Sequence, residues 1–87
     1  MTRNYMFGNL MPVKTALGLS IKRYREKAGL TQEELAYKID LSPRSIQRYE
    51  AGDDMPTYIT LFKLAQAMNT KPAQLLENAW TVWKAEK

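Results

Sequence analysis

Residues 31–50 read TQEELAYKIDLSPRSIQRYE, and two helix-start signals lie within them. The first is Thr31 with Glu34 three residues on. A hydroxyl there accepts from the amide of position 34, and the glutamate accepts in return from the amide of position 31. Leu35, Ala36 and Ile39 then recur at helical spacing and form the inner face of a helix over about 32–39. The second signal is Ser42-Pro43. Serine is a good N-cap, and proline suits the first turn, where its missing N–H is not needed. This spacing predicts a helix over 43–51 with Ile46 and Tyr49 inward and Gly52 as its stop.

The same reading extends outward. Leu17, Ile21, Tyr24 and Ala28 share one face of a helix over about 16–28, closed by Gly29. Leu61, Leu64, Ala65 and Met68 share a face over about 57–68, with Asn69 as the stop. After Thr70, a last helix starts near Lys71-Pro72 and runs to about Ala85, with Leu75, Leu76 and Ala79 facing in. Residues 1–15 lack clean periodicity, and Gly8 and Pro12 would interrupt a helix there, so they read as an arm. Nothing reads as a convincing strand. The expectation is one all-α domain of five short helices over 16–87, preceded by an arm over 1–15.

Composition narrows the chemistry. The 87 residues contain no Cys and no His. That excludes disulfides, thiolate or imidazole catalysis and Cys/His zinc sites. No carboxylate spacing suggests a metal, and no nucleophile–base pair is visible, so neither an enzyme nor a cofactor is expected. Hydrophobic residues make up 45%, enough for one small core. No run reaches the ~20 apolar residues of a membrane helix, and the N-terminus does not read as a secretion signal. The expectation is a soluble, cytoplasmic protein. The net charge is +4, and all of this excess lies in residues 1–50. A basic half of this kind suits a polyanionic partner.

The linker Asp40-Leu41-Ser42 is short enough to force a sharp angle between the two central helices. That is helix-turn-helix geometry over about 32–51, in which the second helix lies in the DNA major groove. With Ile46 and Tyr49 inward, Arg44 and Arg48 share the opposite face at i, i+4, with Gln47 beside them. An arginine fork can pair with guanine O6 and N7, worth ~1–3 kcal/mol of discrimination. Gln47 can read adenine or reach a phosphate. Gln32 opens the first helix of the pair, beside free amides at the positive end of a helix dipole, which is a natural place for a phosphate. Ser45, Arg23 and Lys38 are further phosphate candidates; Lys22 and Lys27 add general positive potential.

The stretch Leu17–Glu77 resembles the Cro/repressor-type (XRE-family) helix-turn-helix domain. The resemblance rests on Leu17-Gly18, Ile21, Arg25, Gly29-Leu30-Thr31-Gln32-Glu33-Glu34-Leu35-Ala36, Ile39, Leu41-Ser42, Ser45-Ile46, Tyr49-Glu50, Gly52, Pro56, Leu61, Leu64-Ala65 and Leu75-Leu76. It implies a five-helix, lambda-repressor-like domain that binds operator-like double-stranded DNA, usually as a dimer. It implies a phosphate contact at Gln32, a backbone contact near Tyr58, and an ion pair between Arg25 and Glu50. Pro43 departs from the family pattern, where a polar side chain often reaches a base. Here it either touches a thymine methyl or, by the stronger reading, simply starts the helix. Asp53 and Asp54 also depart from it, and they either repel the DNA backbone or point away.

The ends of the chain carry a second theme. Leu76, Trp80 and Trp83 recur at i, i+4, i+7 and form an apolar stripe on the last helix. It either closes the core or, by the favoured reading, forms a homodimer interface. Tyr5, Met6, Phe7, Leu10 and Met11 could also bury against a partner, and Arg3 could enter a minor groove. The expected function is a sequence-specific transcriptional regulator, a repressor of bacterial or phage type. The competing reading is an antitoxin-like module whose main partner is another protein.

Overall fold

The computed structural model of the chain describes residues 11–85. The elements in order are α1 (Val13–Lys27), α2 (Gln32–Lys38), α3 (Pro43–Ala51), α4 (Tyr58–Ala67) and α5 (Pro72–Ala85), with no strand among the described residues. The arm residues up to Leu10 lie outside the described part. Met11 is half-buried and packs against the core.

Local chemistry sets most of the boundaries. At α2 the reciprocal cap is present: Glu34 N donates to Thr31 Oγ1 at 3.0 Å, and Thr31 N donates to Glu34 Oε1 at 2.9 Å. Ser42 Oγ accepts from Ser45 N at the start of α3, and Thr57 Oγ1 accepts from Thr60 N at the start of α4. Asp40 and Asn69 occupy the left-handed region, with φ of 60° and 59°, and turn the chain after α2 and α4. Short polar side chains tolerate that conformation better than most.

Three expectations need correction. Helix α1 begins at Val13, not near residue 16. Pro12 sits just outside the helix and lends its carbonyl to Thr15 N and Ala16 N, so it starts the helix instead of blocking it. Ala28, expected inward, is exposed because the helix has ended at Lys27 and Ala28 already belongs to the turn into Gly29. Leu76, also expected inward on the α5 core face, is 50% exposed, whereas Leu75 and Ala79 are buried.

The core takes one fully buried aliphatic from each helix: Ile21, Leu35, Ile46, Leu64 and Leu75. Helix α1 packs against both α3 and α5, while α2 packs on α3 and α4 on α5. The α1–α5 contact carries a buried hydrogen bond from Ser20 Oγ to the Leu75 carbonyl at 2.8 Å. The α1–α3 contact is closer still. A Cβ on Gly18 would press into the Tyr49 carbonyl oxygen and lie 2.8 Å from that of Glu50. Glycine therefore lets the backbone of α1 seat against the C-terminal carbonyls of α3.

Candidate nucleic-acid interface

Helix α3 has two unlike faces. Ile46 is fully buried and Tyr49 half-buried, while Pro43, Arg44, Gln47 and Arg48 are exposed. The Arg44 and Arg48 side chains lie one turn apart on the open side, so their charge faces solvent. The helix's own carboxylate, Glu50, is turned inward and buried.

That carboxylate is the centre of a joint. Arg25 of α1 holds it with two bonds, Nε to Oε2 at 2.6 Å and an Nη2 bond to Oε1 at 3.1 Å. Arg25 Nη1 also donates to the Leu30 carbonyl at 2.7 Å, in the turn before α2. Gln32 Nε2 donates to Glu50 Oε1 at 2.9 Å. One buried ion pair thus fixes α1, the α1–α2 turn, the first residue of α2 and the end of α3. The hydrogen bond with Glu50 raises the Arg25 pKa above its ordinary value, so the guanidinium stays charged at any pH of interest. The pairing also removes the negative charge of Glu50 from the outer face, leaving the two arginines to set the local potential.

The candidate phosphate residues are distributed unequally. Gln32 is half-buried and bonded to the end of α3, with one amide hydrogen and its carbonyl oxygen still free for a partner. Ser45 is half-buried, and its hydroxyl shares a hydrogen with that of Ser42 at 3.2 Å. Arg23 and Tyr58 are exposed on α1 and α4, and none of the described hydrogen bonds joins them to α3. Tyr58 meets Phe62 edge to face, with ring centroids 6.3 Å apart. Lys38 is placed elsewhere: it lines a cleft with Lys27, Leu30 and Asn69, and another with Lys63 and Gln66. Asp54 turns back on the chain, its Oδ1 accepting from Met55 N at 2.9 Å. Burial, with the Asp54 charge second, raises the pKa of Tyr49.

The α5 residues split. Leu76 and Trp80 open outward, while Trp83 is half-buried and packs against the core. The Trp80 and Trp83 rings lie 5.5 Å apart. Sequence reasoning missed Val13, Met55, Ile59 and Phe62, all large apolar groups left exposed. The signal was present, because Phe62 falls between the inward positions Leu61 and Leu64 of α4, and Ile59 lies two residues before the first of them. Among the described residues no cluster of three or more His, Cys, Asp or Glu could hold a metal, and no helix is long and apolar enough to cross a membrane.

Comparison with known proteins adds to this geometry. The family described as helix-turn-helix, HTH_3, matches residues 21–75. The HTH-type transcriptional regulator y4dJ of Sinorhizobium fredii is 35% identical over 66 residues, covering 76% of this chain and 86% of that protein. Multiprotein-bridging factor 1 of Candida albicans is 39% identical over 59 residues, covering 68% of this chain but only 39% of that protein. Among solved structures, the clp gene regulator ClgR of Corynebacterium glutamicum shares the fold at a TM-score of 0.82 and 24% identity, over 85% of this chain and 95% of that one. The restriction-modification controller protein C.AhdI of Aeromonas hydrophila aligns at 0.69 and 27% identity, over 71% and 94%.

Proposed function

Because the chain belongs to the HTH_3 helix-turn-helix family, of XRE type, we propose that it is a sequence-specific double-stranded DNA-binding repressor. It acts as a homodimer on a two-fold operator. Helix α3 of each copy lies in successive major grooves about 34 Å apart. The observation that carries this reading is the outward face of α3: Arg44, Gln47 and Arg48 are open to solvent on a helix whose opposite side is locked by Ile46 and the Arg25–Glu50 pair.

In this reading Arg44, Arg48 and Gln47 meet base edges, and Pro43 starts the helix. Gln32 gives its free amide hydrogen to a phosphate and, through Glu50, keeps register with α3. Ser45, Arg23 and Tyr58 add backbone contacts. Lys38, exposed at the end of α2, adds a further backbone contact. The protein works in the cytoplasm, at the nucleoid, without a cofactor and without enzymatic activity. Dimerisation runs through the outer face of α5.

Selection from a random duplex library at physiological salt tests the reading. A two-fold symmetric consensus, bound with an affinity that falls steeply with salt, is the expected outcome. Recovery of no consensus would contradict it. A second reading, a module whose main partner is another protein, is favoured by the apolar groups exposed on α4 and α5. Stoichiometric capture of a different protein by a chain with no duplex preference would replace the first reading with this one.

A further inference from the structure

A wholly apolar groove of about 260 Å³ runs along α5, lined by Val13, Leu17, Met55, Leu76, Trp80 and Trp83. Four of its side chains remain open to solvent: Val13 at 56%, Met55 at 47%, Leu76 at 50% and Trp80 at 55%. Together they form an exposed apolar patch around the groove, the composition of an interface centre that still needs a polar rim.

The rim is written on α5 itself. Around the helix, Trp80 faces outward between two flanks. Leu76 and Trp83 make the apolar flank, beside Val13 and Met55. Glu77 and Lys84 make the charged flank, and both are exposed. These two charges are seven residues apart, about 10 Å along the axis, too far to pair within one helix. Arg25–Glu50 is the ion pair among the described residues, none of which sets an opposite charge within salt-bridge distance of Glu77 or Lys84. Lys84 instead lies over the Trp80 ring, its amine 6.0 Å from the centroid.

We propose that a second copy of the chain seats on this face, α5 antiparallel to α5, with the two-fold axis beside Trp80 so that Glu77 meets the partner's Lys84 and Lys84 meets the partner's Glu77. The midpoint between positions 77 and 84 falls between Trp80 and Thr81. A two-fold axis placed there brings each charge opposite its complement, twice. It also lays the apolar flanks against each other over the groove. A parallel pair offers no such match, because residues on one flank then do not face each other. This inference rests on the dimeric reading above and specifies its interface.

The test is sedimentation equilibrium of the full chain and three charge variants, read beside operator binding. Glu77→Lys and Lys84→Glu each turn two attractions into two repulsions, and each is expected to raise the dimer Kd by about tenfold. The double variant Glu77→Lys/Lys84→Glu is expected to return to within about threefold of wild type. Both positions are exposed on α5, and circular dichroism is the check that each variant folds. If the chain dimerises on a two-fold operator but the single variants leave its Kd unchanged, or the double variant fails to recover, the antiparallel α5 register is wrong while the regulator reading stands. If the chain stays monomeric and selects an asymmetric half-site, the dimeric reading falls and the register with it. A monomer whose Trp80 emission remains that of a shielded indole at every dilution would assign the groove to residues 1–10 of the same chain, and that too would overturn the proposal.

Discussion

Helices α3 and α5 each bury one side against α1 and leave the other open, yet the open sides are opposites. That of α3 is two guanidiniums and an amide. That of α5 is leucine and tryptophan with a thin charged edge. The means of support differ as well. Helix α3 is held by a buried, four-membered polar joint and a glycine-tight backbone contact. Helix α5 is held by aliphatic packing and one hydroxyl bond from Ser20. A surface that reads base edges must be fixed to a fraction of an ångström, because a bidentate pair fails when either fork is misplaced. A surface that meets an apolar partner tolerates adjustment of its side chains. The two regions therefore teach where rigidity was placed in this molecule.

The largest break in that comparison is expected at the joint. Glu50→Ala leaves the Arg25 guanidinium buried without its carboxylate and frees Gln32, and it is expected to lower folding stability by about 3–5 kcal/mol, measured by urea unfolding. A loss below about 1 kcal/mol would mean that the pair is screened and α3 is held by packing alone. Gly18→Ala drives a methyl into the α3 carbonyls, and a loss of about 1–3 kcal/mol is expected, with weaker operator binding as α3 is pushed outward. Unchanged stability and unchanged affinity would show that the close approach has slack.

On the outer face of α3 the pattern inverts. Arg48→Ala is expected to leave unfolding within about 0.5 kcal/mol of wild type while removing about 1–3 kcal/mol of base discrimination at one operator position, read by competition with single-base variants. A uniform loss over all sequences would move Arg48 to a phosphate role. Trp80→Ala is the smallest expected effect on the isolated fold, under about 1 kcal/mol, because the ring is more than half exposed. Its consequence belongs to self-association, and a dimer as tight as wild type would sharpen the comparison by moving the apolar contact off α5.

Much of this contrast is legible in the residues alone, for reasons that are local. The Thr31–Glu34 cap, the Ser42-Pro43 start and the alternation of Ile46 with Arg44 and Arg48 each join residues no more than four positions apart along the chain, and helical spacing converts them directly into faces. What local spacing does not encode is contact between distant segments. The Gln32–Glu50 bond joins residues eighteen positions apart. The cleft lined by Lys27, Lys38 and Asn69 depends on how α2 packs beside the α4–α5 turn. Leu76 looked inward because leucine is usually buried, yet it sits about 100° round α5 from Leu75, and that turn carries it out of the core: Leu75 is fully buried and Leu76 half exposed. Pro12 was read as an interruption because proline breaks helices from inside, whereas here it stands just before the first turn.

The central claim is that α3 lies in the major groove with its arginines on guanine edges. Dimethyl sulfate footprinting on a selected operator tests it most directly, because the reagent attacks guanine N7, the atom an arginine fork would cover. The account expects protected guanines in two patches about one helical turn apart, with one pair restored to full reactivity by Arg48→Ala in a protein that still binds. Guanine N7 atoms that stay fully reactive in the bound operator would contradict it.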